Sequence, residues 1–170
     1  WKWVRLIGIL RKLTDGEHKT PKYCENGVPF ISVKNISSGF ISFKNTKFIS
    51  QNDYKIFKKR CNPEKGDILL SKVGTICVPA IIEDNPVFSL FVSVALLKLN
   101  EKVESKFLWY WLQSPFIQDQ AKKNTRGIGN KNWVLKSIAQ TLIPLPPLAE
   151  QRRIVARLNE LLTEVDRFKA

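Results

Sequence analysis

The stretch Ile143-Pro-Leu-Pro-Pro-Leu-Ala-Glu-Gln151 constrains this chain more than any other. Each proline fixes φ near −65° and removes a backbone donor, so Pro144, Pro146 and Pro147 hold an extended segment that no helix interior accepts. The most regular helical pattern in the chain follows at once. Ile154, Leu158, Leu161, Val165 and Phe168 are spaced by 4, 3, 4 and 3 residues, the 3.5 period of a coiled-coil seam. Arg152, Arg153, Arg157, Glu160, Glu164 and Arg167 fall on the other faces. Pro147 is pre-set for the first helical turn, and Glu150 in that turn suits the positive end of the helix dipole. The prolines predict a helix aimed away from the body of the protein and pairing with a helix outside it. The alternative is a terminal amphipathic helix folded onto its own domain, because the seam spans only two heptads.

The residues before the prolines read as one domain. With 44% hydrophobic and 11% aromatic residues, the 170-residue chain can bury a sizeable core. WKWVRLIGIL reads as a strand or short packed segment whose aromatic residues belong to a core, and TDGEHKTPKY reads as a loop. GVPFISVKNI and GFISFKN read as two short strands separated by SSG. DYKIFKKR suits a short helix with Tyr54 and Phe57 on one side. KGDILLSKVGTICVPAII suits two strands joined by a tight turn, and VFSLFVSVALLKL a buried strand or pair. From Glu104 the pattern becomes helical through Phe107, Leu108, Trp111 and Leu112, with Pro115 opening a second piece. TRGIGNKNW is a basic glycine loop, and VLKSIAQTLIPLPPL returns through a short helix or strand. The expected fold class is α/β in the α+β sense: a mixed, mostly β domain over 1–145 with flanking helices, then the start of a projecting spacer helix over 146–170.

Charge points to the partner. The chain carries 28 Lys and Arg against 15 Asp and Glu, a net +13. The excess sits in two blocks, +9 over 1–60 and +4 over 111–137, separated by a middle of −1 over 61–110. Two basic blocks around a neutral apolar centre favour a polyanionic partner, nucleic acid before membrane. Reading duplex DNA needs cations for phosphates and planar or hydroxylic groups for base edges. The first block offers Lys19, Thr20, Lys22 and Tyr23, then Lys34, Asn35, Ser37 and Ser38, then Lys44, Asn45 and Lys47. Ser71 and Lys72 are expected at the turn after GDILL, and the later block offers Lys122, Lys123, Asn124, Arg126, Lys131 and Asn132. Arg126 is the candidate for a guanine contact, and Asn35, Asn124 and Asn132 are the candidates for adenine edges. Trp109, Tyr110 and Trp111 could stack on bases, but aromatic residues in a helix more often belong to a core.

Several chemistries lack their residues. Cys24, Cys61 and Cys77 are an odd set without CxxC spacing, and His18 is the sole histidine, so the usual four-ligand zinc site is not expected. The thiols are expected to be reduced and buried, as in a cytoplasmic protein. The apolar run 87–99 is too short to span a bilayer, and no signal peptide is visible. There is no methionine, which implies that segments of the translation product lie outside this sequence. No phosphate-binding GxxxxGK[ST] loop occurs. Neither NPEK nor NPVF supplies the Asn/Asp-Pro-Pro-aromatic motif of an adenine methyltransferase. His18 near Asp15 and Glu17 reads as polar loop surface rather than acid–base machinery. No catalytic residue is assigned.

The junction IPLPPLAEQRRIVARLNELL resembles the specificity subunits of type I restriction-modification enzymes, where a target-recognition domain meets a long helix. DGEHKTP with GVPFISVKNI is similar to the early Gly-x-x-x-x-Pro loop and first central strand of that family. KGDILLSKVGTICVPAII is similar to its Gly-Asp-(apolar)3-Ser…Gly-Thr-Ile segment, and FLWYWLQSPFIQDQ and TRGIGN follow in the expected order. The resemblance implies a non-enzymatic DNA-reading subunit of a prokaryotic cytoplasmic system, in which two recognition domains each read half of a split target and two antiparallel helices space them. It implies methyltransferase subunits as partners, which bind S-adenosylmethionine, and an endonuclease subunit that uses ATP with Mg. This chain would itself bind no cofactor. It holds one recognition domain and the start of one helix, so it implies either a half-length subunit that pairs with a second half or a fragment. Two other classes stay open on the residues alone: an assembly protein acting through its terminal helix, and a single-strand or RNA-binding domain.

Overall fold

The computed structural model describes residues 1–85, 87–127 and 131–168. Its centre is an antiparallel four-stranded sheet in the order β2-β8-β5-β6, formed by Leu10–Asp15 (β2), Ile68–Ser71 (β5), Pro79–Ile81 (β6) and Val94–Leu99 (β8). Successive side chains of a strand face opposite ways, and here both faces are covered. Ile68, Leu70, Ala95 and Leu97 point into one core with Leu108, Leu112, Ile117, Ala121, Trp133 and Ile138. Leu69, Val94 and Leu96 point into a second with Ile31, Ile36, Cys61, Ala80, Ile82, Phe88 and Leu90. The near-continuous apolar runs therefore mark central strands, buried on both sides.

Helices from the C-terminal half cover the first face: Ser105–Leu112 (α2), Pro115–Lys123 (α3) and Leu135–Ala139 (α4). Pro115 starts α3 as expected, behind Ser114, whose side chain accepts from the Ile117 amide. A three-stranded sheet flanks the second face, in the order β4-β3-β7: Val28–Ile31 (β3), Lys47–Ile49 (β4) and Ser89–Leu90 (β7). β3 runs antiparallel to β4 and parallel to β7. Gln51–Arg60 (α1) lies over this sheet with Tyr54 and Phe57 packed on Val28, Phe30 and Ile49. A third, two-stranded sheet pairs Lys2–Arg5 (β1) with Leu142–Leu145 (β9), Lys2 opposite Leu145. The mixed, β-centred architecture with flanking helices agrees with the expected class.

Two expectations are corrected. The run at 39–45 forms no strand; Asn45 sits at φ 55° in a turn, and the partner of β3 begins two residues later at Lys47. Trp1 and Trp3 leave the core: β1 is an outer strand, so Trp1 is 71% and Trp3 58% exposed, the latter against Trp111 and Phe116.

The terminal helix, Leu148–Arg167 (α5), starts behind Pro147, which stands one residue before the helix with ψ 150° instead of inside the first turn. α5 lies against α2, where the Asn159 amide oxygen accepts from the Tyr110 hydroxyl at 2.6 Å, and Gln151 and Val155 near its start are buried. Ile154 and Leu158 are half-buried, whereas Leu161, Val165 and Phe168 are exposed at 40%, 47% and 91%. The helix thus docks on its own domain at its base and stands free beyond it.

Candidate nucleic-acid interface

The strand registers bring the basic stretches to one end of the molecule. β2 ends at Asp15 opposite Ala95, and β5 ends at Ser71 opposite Val94, so the loops after both strands open where β8 begins. β3 ends beside the end of β7, with Phe30 opposite Lys47 at the start of β4. The turn at 91–93 ties the two sheets there. The Lys72 amide donates to the Ser93 carbonyl at 3.0 Å, the Val33 amide to the Ser93 hydroxyl at 3.1 Å, and the Phe91 amide to the Ile31 carbonyl at 2.8 Å. The later block joins the same end. The Trp133 amide donates to the Lys72 carbonyl at 2.8 Å, and the Gly74 amide to the Lys131 carbonyl at 2.9 Å. Arg126 and Asn132 exchange backbone bonds at 3.0 and 2.8 Å, closing the neck of the glycine loop. Residues 128–130 of that loop, like Pro86 of NPVF, lie outside the described residues.

Gly16 makes this close approach feasible. The Gly16 amide donates to the Val94 carbonyl at 3.2 Å, and a Cβ at position 16 would fall on the Leu90 carbonyl. The Glu17 amide then donates to the Leu90 carbonyl at 2.7 Å, and the loop departs. Lys19, Thr20, Lys22 and Tyr23 are exposed along it, and the Lys47 ammonium stands 4.2 Å over the Tyr23 ring. Lys34, Ser37, Ser38, Lys44 and Asn45 are exposed on the neighbouring connection. Lys122, Lys123 and Asn124 close α3 and lead into Arg126, all exposed. Among the described residues Lys19, Lys22, Lys34, Lys44, Lys122, Lys123, Arg126 and Lys131 form no ion pair.

Other candidates are spent inside the fold. Ser71 is fully buried at the end of a central strand, and its hydroxyl accepts from the Val78 amide at 2.8 Å. Lys72 is 4% exposed with its ammonium 3.3 Å from the Asp15 carboxylate, which also meets the His18 ring at 3.0 Å and the Arg60 guanidinium at 3.3 Å. This group of charges ties β2, β5 and α1 together. Asn35 is buried, and its amide is fully used: its oxygen accepts from the Ser32 amide at 3.0 Å, and its nitrogen donates to the Ser42 carbonyl at 3.1 Å and the Thr46 hydroxyl at 3.3 Å. Ser71, Lys72 and Asn35 are therefore withdrawn from the set facing solvent, because burial depends on partners distant in sequence. Asn124 donates to its own helix at the Gln120 carbonyl, 2.8 Å away, and Asn132 is half-buried. Tyr110 and Trp109 are held by Asn159 and the Pro79 carbonyl, and Trp111 packs on Trp3 and Phe116. Cys61 and Cys77 are buried as expected, but Cys24 is exposed.

α1 adds cations beside the candidates named from the sequence. Its solvent face carries Lys55, Lys58 and Lys59, and Arg60 reaches the Asp15 and Gly16 carbonyls, so the last turn ends beside the first basic loop. KIFKK already held the signal: Tyr54 and Phe57 inward leave the lysines outward at helical spacing. Among the described residues no group of three metal-binding side chains occurs, and no helix is long and apolar enough to cross a membrane.

A β-centred domain with exposed cations around one end of its sheets and a helix leaving the other side has a counterpart among known families. Residues 1–168 match the type I restriction modification DNA specificity domain, and the chain belongs to that family. Among its relatives is the specificity subunit of the type I restriction enzyme EcoBI from Escherichia coli, 27% identical over 162 residues, covering 95% of this chain and 34% of that protein. The specificity subunit of MjaVIII from Methanocaldococcus jannaschii is 26% identical, covering 98% of this chain and 41% of that protein. In fold the chain is similar to the HsdS subunit from Thermoanaerobacter tengcongensis, with a TM-score of 0.69 at 24% identity over 99% of this chain and 39% of that one. The chain thus spans a third to two fifths of the length of these relatives.

Proposed function

We propose that this chain reads one half of a split duplex DNA target as the recognition domain of a type I specificity subunit, without catalysing a reaction itself. In this reading, adenine methyltransferase subunits, and an endonuclease subunit where one joins, carry S-adenosylmethionine and ATP, and the chain directs them to the target. A second recognition half pairs through the seam of α5. The observation that supports it best is the convergence of the loops at 16–27 and 32–46, and of residues 124–127 and 131–132, on one end of the two larger sheets, rich in cations that form no ion pair among the described residues. Phosphates attract such cations without regard to sequence, while exposed Arg126, Asn45, Ser37 and Ser38 supply groups that can face base edges.

The test is binding to random and target-bearing duplexes at two salt concentrations. Neutralising about five phosphates gives a slope of log K against log[salt] of about −4.5. A flat response overturns the proposal in favour of an assembly protein, and preference for single strands overturns it in favour of an RNA- or single-strand-binding domain.

A further inference from the structure

Gln151 is a polar side chain with 0% exposure in a helix that otherwise shows most of its surface to solvent. Its amide oxygen accepts from the Glu104 amide at 2.8 Å, and its nitrogen donates to the Lys102 and Pro146 carbonyls, each at 2.9 Å. Three partners nearly exhaust the bonding capacity of a side-chain amide, and a buried amide deprived of them carries a desolvation penalty. The partners lie on two segments: the proline run that precedes α5, and the connection from β8 to α2. β8 is an inner strand whose other end, at Val94, is where the basic loops gather. A second anchor sits eight residues along α5, where Asn159 accepts from Tyr110 of α2. Eight residues rise about 12 Å, so the two anchors define the direction of the helix and not merely its point of attachment.

We propose that Gln151 is a positioning residue: with the Tyr110–Asn159 bond it sets the angle at which α5 leaves the domain, and so the separation of the DNA half-sites read by two domains joined through such helices. The half-site part rests on the function proposed above. Geometry gives it weight. Twenty residues of α5 extend about 30 Å, so a tilt of about 10° at the base moves the far end by about 5 Å. That exceeds the rise of about 3.4 Å per base pair.

The test places spin labels at Asp119→Cys on α3 and Glu164→Cys on α5 in a Cys24→Ser background and measures their distance distribution. The parent is expected to give one narrow distribution. Gln151→Glu, which keeps the shape but removes both donated bonds, and separately Tyr110→Phe, which removes the second anchor at the surface, are each expected to broaden it while the salt slope on duplex DNA stays unchanged. In cells with the assembled system, Tyr110→Phe is expected to add modified sites whose half-sites are unaltered but whose spacer differs by one base pair. Narrow, unshifted distributions in the variants overturn the proposal. Should Gln151→Glu not fold, Tyr110→Phe and Asn159→Ala decide on the same criterion. A parent protein that ignores duplex DNA defeats the function proposed above and the half-site part with it, while the distance measurement still decides the helix direction.

Discussion

Asp15 shows how a charge in a basic loop region serves the fold. It is 4% exposed and faces Lys72, Arg60 and His18, and Lys72 is itself buried. Removing one partner of a buried pair leaves the other charge uncompensated, so Asp15→Ala is expected to cost about 3–5 kcal/mol in urea unfolding. The thiols divide in the same way. Burial pushes Cys61 and Cys77 up to about 12, for Cys61 against the opposing pull of Arg60, which keeps both as unreactive thiols. Iodoacetamide at pH 8 is expected to alkylate Cys24 alone in the native protein and all three cysteines in denaturant, as read by mass spectrometry. Arg126 belongs to the exposed set: Arg126→Ala is expected to relax preference at one base position by about 1–3 kcal/mol, measured by competition with singly substituted duplexes. Uniform weakening on all sequences would make it a phosphate contact instead. The exposed cations were legible in the sequence because Lys and Arg in turn-rich stretches face solvent. Lys72, Ser71 and Asn35 were not: Lys72 meets Asp15, 57 residues before it, and Ser71 and Asn35 meet Val78 and Ser42, each seven residues on, while only the Ser32 bond to Asn35 is local.

Among the elements, α5 carries two overlapping stripes. Gln151 and Val155 face the domain, while Leu161 and Val165, on the adjacent side, are exposed and complete the 3.5-residue seam. Leu161→Asp with Val165→Asp is therefore expected to leave the unfolding midpoint within about 0.5 kcal/mol of the parent and to abolish helix pairing in sedimentation velocity. α1 makes a separate prediction. Lys55→Gln with Lys59→Gln is expected to reduce the magnitude of the salt slope on duplex DNA by about 1.8 and to leave sequence preference intact. The helices at 105–123 and their break at Pro115 were legible from spacing and proline chemistry, and so was the β5–β6 pair from its glycine-punctuated apolar runs, although residues 72–78 and not a tight turn join the two strands. The exchange of 39–45 for 47–49 as the partner of β3 was not, since short alternating runs look alike until register selects one.

At the scale of the molecule, the sequence displayed two basic blocks but not their convergence. That depends on the parallel pairing of β3 with β7 and on the register of β2 and β5 against β8, none of which leaves a local signal. The middle, 61–110, supplies most of the inner strands and is balanced in charge, so the net positive charge is carried by the segments on either side of it. The pairing of β1 with β9 has its own consequence. With Lys2 opposite Leu145, the first strand and the approach to α5 lie side by side. A change of chain length at either strand is therefore expected to disturb that one side and to leave the loops at the opposite end in place.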